Sequence, residues 1–295
     1  MFLSHRSILM AGFRDRLRAL ADSLSAGLTT TVTGGGPRVA GPPRSPNGAS
    51  SFHLIWEMPR TAAAAKLVEV SAVLEIVEPP RVSSLYFWAL QVDFEEDRVT
   101  WGGGHTGLQW NRRFPGGTAL NWGGYAAQSQ GGAVLPGTQP HLFAFPGDPN
   151  TMSFAWEPRR PYRLRVFRSP DVPGGWRADI TDLTSGTTTI VRDLMHPNGL
   201  RARAGRTAAG YLLRPLVWSE VFADCDAPPV VARWSGLSAV DEDGVIVRPS
   251  SVRVNYQAHE AGGCGNTSVR RDGAGLLQVT NTPREIPQGA LLDLP

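Results

Sequence analysis

The chain has 295 residues, 41% of them hydrophobic and 19% charged, a balance that provides an ample core and excludes a disordered or fibrous protein. A formal net charge of only +3 on scattered basic residues, with Lys66 the sole lysine, excludes the concentrated cationic patch of a nucleic-acid binder. The 33 Gly and 24 Pro imply many turns and few long helices, and no run reaches the roughly 18 apolar residues of a membrane span.

In chain order, Phe13, Leu17, Leu20 and Leu24 recur at helical spacing among charged residues, which predicts an amphipathic helix within residues 1–28. Such a helix suits docking on the body, self-association with another copy, or a membrane surface. The N-terminus lacks an unbroken apolar core followed by a small-residue cleavage site, so no standard secretory signal is read; the expectation is a cytoplasmic or non-classically exported protein. Residues 29–51, rich in Gly, Pro and Ser, read as a linker.

Residues 52–240 read as a β-sandwich domain. Val68, Val70, Ala72, Leu74 and Ile76 alternate with a mostly polar set. Tyr86, Trp88, Leu90, Val92 and Phe94 alternate with Phe87, Ala89, Gln91 and Asp93, so Gln91 and Asp93 project from the face opposite the core. Tyr162–Val166 and Trp176–Ile180 alternate again, and the turn signal at 182–186 returns the chain into 187–191 as a hairpin. Further strands are expected at Leu216–Phe222, Val230–Trp234, Val245–Val247, Val252–Tyr256 and Leu276–Thr280, and residues 241–295 complete or extend the sandwich. The economical fold class is all-β: a two-sheet antiparallel jelly-roll sandwich with a short N-terminal helix.

The stretch Trp101–Tyr125 sets three of the nine tryptophans and a tyrosine among eight glycines, and reads as aromatic faces presented from turns and short strands. Sugar rings have apolar C–H faces and polar edges. Trp101, Trp110, Trp122 and Tyr125 are therefore candidate stacking residues, and His105, Gln109, Asn111 and Asn121, with Gln91 and Asp93, are candidate hydrogen-bonding partners. Gly102, Gly104 and Gly107 match GxGxxG, but no helix follows, so no dinucleotide site is read.

Gln91-Val92-Asp93-Phe94-Glu95-Glu96 resembles the ExDxxE strand of the laminarinase-like glucanases of the concanavalin A-like superfamily. That resemblance implies a sandwich fold and gives Asp93 and Glu96 the assisting and acid/base positions. Gln91 stands where the family has its nucleophile, so the two-carboxylate mechanism lacks one partner. The stretches Gly103–Gln109 and Trp156–Arg163 are also similar to uncharacterised bacterial sandwich domains of carbohydrate-binding style.

The expectation is a non-catalytic, lectin-like module whose partner is a glycan or polysaccharide. The alternatives are a glycoside hydrolase, a polysaccharide lyase drawing on Tyr125, His105 and Arg112, or a self-assembling structural protein. No cofactor is expected. His259, Glu260 and Cys264 lack zinc-site spacing, Asp148 and Asn150 offer calcium only isolated oxygens, and so no metal is expected either. Cys225 and Cys264 either bridge in an oxidising compartment or remain free thiols in a reducing one.

Overall fold

The computed structural model describes residues 37–59, 65–197 and 210–295; the helix expected within 1–28 and residues 29–36 of the linker expected at 29–51 lie outside them. Among the described residues there is no α-helix, and none long and apolar enough to cross a membrane. The architecture is all-β and every strand pairing is antiparallel.

Among the described residues the strands form one curled antiparallel sheet, folded into a front and a back layer that share a core. The front layer runs β13 (Ser251–Tyr256), β1 (Ser50–Glu57), β10 (Tyr211–Val221), β3 (Tyr86–Glu96), β4 (Val99–Trp110), β5 (Thr118–Ala126) and β6 (Thr151–Ser153), with β16 (Leu291–Asp293) beside β13. The back layer runs β14 (Ser268–Asp272), β15 (Gly275–Val279), β11 (Val231–Asp241), β2 (Leu67–Glu78), β7 (Pro161–Arg168), β8 (Trp176–Asp182) and β9 (Thr188–Leu194), with β12 (Ile246–Val247) beside β11. A single pairing, Leu212 with Leu67, bridges the layers.

Alternation explains why these segments pair. Tyr86, Trp88, Leu90, Val92 and Phe94 all turn toward the back layer and bury almost completely against Leu74, Leu164, Trp176 and Ile180 in one continuous core. The Phe94 ring stacks on Trp176 with centroids 5.6 Å apart. Each such side chain contributes about 1.5–3 kcal/mol of burial. The result is a sandwich-like fold.

The Gly-rich stretch is not a loop. It forms β4 and β5, paired without interruption from Gly102–Ala126 to Trp110–Thr118. Glycine is required there by close approach. A Cβ on Gly107 would lie 1.9 Å from the Trp88 carbonyl oxygen, and one on Gly104 would lie 2.8 Å from the Trp122 ring. The expected presentation from turns and short strands is therefore corrected in part: six of the eight glycines are strand residues, and only Gly116 and Gly117 lie in the turn between β4 and β5.

Cys225 and Cys264 form a disulfide with their Cα atoms 5.5 Å apart. It joins the segment after β10 to the segment between β13 and β14.

Candidate functional site

The front layer's other face is built from the alternate residues of the same strands. Reading across the register gives rows. Glu220, Phe87, Gln109 and Ala119 form the first; His53, Trp218, Ala89, Gly107 and Asn121 the second; Ile55, Leu216, Gln91, His105 and Gly123 the third; Asp93, Gly103 and Tyr125 the fourth. This face is polar and aromatic where the core face is aliphatic and aromatic.

At its centre is an aromatic cluster. The His105 ring lies 5.6 Å from Phe87, 5.7 Å from Trp218 and 6.5 Å from Tyr125. The Trp218 indole N–H donates to Gln91 Oε1 at 2.9 Å, fixing the carboxamide and leaving the Gln91 Nε2 hydrogens available to a ligand. His53 sits edge-on to Trp218 and shares a hydrogen bond with Asn255. Burial holds both imidazoles neutral, with pKa values lowered to about 4.

Glu220, 1% exposed, is the most perturbed carboxyl of the face. Desolvation pushes its pKa up to about 8, against hydrogen bonds that favour the ionised form from Asn47, whose Nδ2 donates to Oε1 at 2.7 Å, and from Ser51. Burial also raises the Tyr125 hydroxyl, and the negative charges of Asp148 and Glu220 add to it. Asp93 is raised by burial, with Arg214 opposing. Asp148 is likewise raised by burial, with Arg113 opposing.

One end of the face opens as a cleft of about 470 Å³, lined among others by Gln91, Asp93, His105, Tyr125, Gln128 and Arg214. Behind the opposite end, the segment leading into β1 is strapped down. Arg44 N donates to Gly262 O, Cys225 N to Gly41 O, and Cys264 N to Ser50 Oγ, each at 2.8 Å. This segment carries Asn47, so the disulfide loops support the group that contacts Glu220.

Of the residues picked out by sequence, Gln91, Asp93, His105 and Tyr125 come together in the cleft, and Gln109 and Asn121 lie on the same face, buried. The Asn121 amide donates to Thr151 Oγ1 at 3.0 Å. Asn111 follows β4, donates to Gln109 Oε1 and accepts from Arg113 N, ordering the turn. Trp101 and Trp122 point the other way, into the core, at 3% and 0% exposure, both against Phe94. Trp110 also lies off the polar face, half-buried, its indole donating to Val82 O under the Arg112 guanidinium. Glu96, the acid/base position of the glucanase resemblance, sits exposed at the end of β3.

Glu220, Trp218, His53, Asn47 and Arg214 were not singled out by sequence. The signal available was the alternation Leu216, Trp218, Glu220 within a strand that was expected, which marks one face as carrying an acid beside an indole.

No family model matches the chain, and no curated protein matches it in sequence. Among solved structures it is similar to SCP-B, described as a member of the eqolisin family of peptidases in a complex with the tripeptide Ala-Ile-His. That likeness has a TM-score of 0.40 and 12% identity, over 78% of this chain and 97% of that one. It is also similar to scytalido-glutamic peptidase with a peptide-based transition-state analogue, with a TM-score of 0.40 and 10% identity over the same shares. At that distance no residue role carries across. The expectation of a non-catalytic, lectin-like glycan binder, with glycan cleavage as its alternative, is corrected. Two of the four rings assigned to stack on sugar are core residues, and a third, Trp110, lies off the polar face.

Proposed function

We propose that the protein is a hydrolase that uses acid–base chemistry on extended peptide chains, with the polar face of the front sheet as its substrate surface and Glu220 as the proton-transferring group. One observation carries this reading: Glu220 is a glutamic acid 1% exposed on a polar face, where burial pushes its pKa up to about 8. An ordinary glutamate is ionised at neutral pH and cannot donate a proton; this one can, and its conjugate base can then accept one from water.

The surrounding groups suit an amide chain. Gln91, Asn121, His105 and Tyr125 supply donors and acceptors from adjacent strands spaced about 4.8 Å apart, while Gly103, Gly107 and Gly123 keep the floor low. The Gln91 carboxamide and the Tyr125 hydroxyl would hold the chain at the open cleft, while Glu220, two rows away along the same face, would move the proton. In this reading the layers form a jelly-roll-type sandwich over residues 52–240, and the strands of 241–295 complete it.

The test is release of new amino termini from an unfolded protein substrate across the pH range. Wild type is expected to cleave, with a basic limb that falls as pH rises through about 8. Glu220→Gln is expected to lose roughly 100-fold or more while retaining its melting behaviour. Equal cleavage by Glu220→Gln, or none by wild type, would overturn the reading.

A further inference from the structure

The front sheet carries a defect at the mouth of the cleft. Leu213 pairs with Asp93 and Leu216 with Gln91, so three steps along β10 match two along β3, and Arg214 occupies a β-bulge. Its φ is +47°, a left-handed conformation that costs a non-glycine residue on the order of 1 kcal/mol. Bulges re-aim side chains beside binding sites. Here the bulge places the guanidinium on the cleft wall, where Arg214 is 66% exposed.

Arg214 Nε donates to the largely buried Asp93 carboxylate, which holds the guanidinium plane in place. Among the described residues the two Nη groups have no further partner, and they face a cleft whose other polar liners, Gln91, His105, Tyr125, Thr100 and Gln128, carry no net charge. A fixed guanidinium edge with two parallel N–H groups matches a carboxylate bidentately.

We propose that Arg214 is a carboxylate anchor at the open end of the cleft, so that the ligand is a peptide presenting either an acidic side chain or its C-terminal carboxylate to that end. This rests on the peptide reading of the face, but its test does not require turnover. Asp93 is then a positioning residue acting through Arg214.

The experiment is calorimetric titration of the full chain at low salt with four short peptides: acetyl-Ala-Ala-Glu-amide, acetyl-Ala-Ala-Gln-amide, acetyl-Ala-Ala-Ala with a free C-terminus, and its C-terminal amide. At least one carboxylate peptide is expected to bind about tenfold tighter than its neutral match, equivalent to about 1.4 kcal/mol. Whichever pair shows the difference identifies the source of the carboxylate. Arg214→Gln is expected to abolish the preference and Arg214→Lys to keep part of it. The melting midpoint of each variant, measured alongside, shows whether Asp93 without its partner weakens the fold.

Equal binding of each pair, a preference surviving Arg214→Gln, or no binding of any peptide would overturn the assignment. Loss of the preference with cleavage intact would leave the hydrolase standing. A clear preference with no cleavage would leave the anchor standing without the hydrolase.

Discussion

Glu220 shows how burial alone changes what a side chain can do. Its pKa is about 8 in the fold against 4.5 in the unfolded chain, so between those values the native state holds a proton that the unfolded state releases. Stability therefore falls as pH rises through that window. His53 and His105 act in the opposite sense. Their native values near 4 lie below the ordinary 6.5, so their contribution is present above pH 6.5 and is lost as pH falls toward 4. Above pH 6.5 the unfolded chain sheds the remaining protons of these two histidines, which returns about 0.8 kcal/mol in all by pH 8. Wild type is therefore expected to lose about 1 kcal/mol of unfolding free energy between pH 6.5 and 8, and Glu220→Gln to lose none. Urea denaturation at intervals across that range checks it, and a flat wild-type curve would remove the case for a protonated Glu220.

At the scale of elements, the hairpin β4–β5 depends on the absence of side chains. An alanine at 107 would drive its methyl group to 1.9 Å from the Trp88 carbonyl oxygen and 2.6 Å from the Ala89 Cα, both backbone atoms that cannot turn aside. Gly107→Ala is expected to cost about 3 kcal/mol or more, read as a lowered denaturant midpoint. A change under about 0.5 kcal/mol would contradict this strand pairing.

The same hairpin shows where the sequence stops being legible. Strands β2, β3, β7 and β8 announce themselves through period-two hydrophobicity, and the outward projection of Gln91 and Asp93 follows directly from it. β4 and β5 show no such period, because glycines stand on both faces and the strand is held by neighbours distant in sequence. Trp101 and Trp122 misled for the same reason: an aromatic among glycines suits an open loop and a tightly packed core equally, and only the partner layer decides. Glu220 lay within an expected strand, but its burial comes from Asn47 and Ser51, over 165 positions away in sequence.

For the molecule as a whole, the disulfide is the one covalent tie between distant elements. It closes a loop with a sequence separation of 39, worth ~3–4 kcal/mol on the chain-entropy estimate. The double substitution Cys225→Ser and Cys264→Ser, or treatment with reductant, is expected to lower the unfolding free energy by about that amount, measured by denaturation with and without thiol. A stability unchanged by reduction would show that the surrounding hydrogen bonds suffice alone.

The bond does more than staple. Gly41, Arg44 and Ser50 are each tied to the cysteine loops, and the strand entrance between them carries Asn47 to Glu220. Oxidation state is thereby connected to the acid through two hydrogen-bonded steps. A bench-level consequence follows for recombinant material. Batches folded in a reducing cytosol and batches exported to an oxidising compartment would share a mass to within two hydrogens, yet differ in how firmly this acid is seated. Activity compared between laboratories would then vary with the expression host unless thiol content were titrated first.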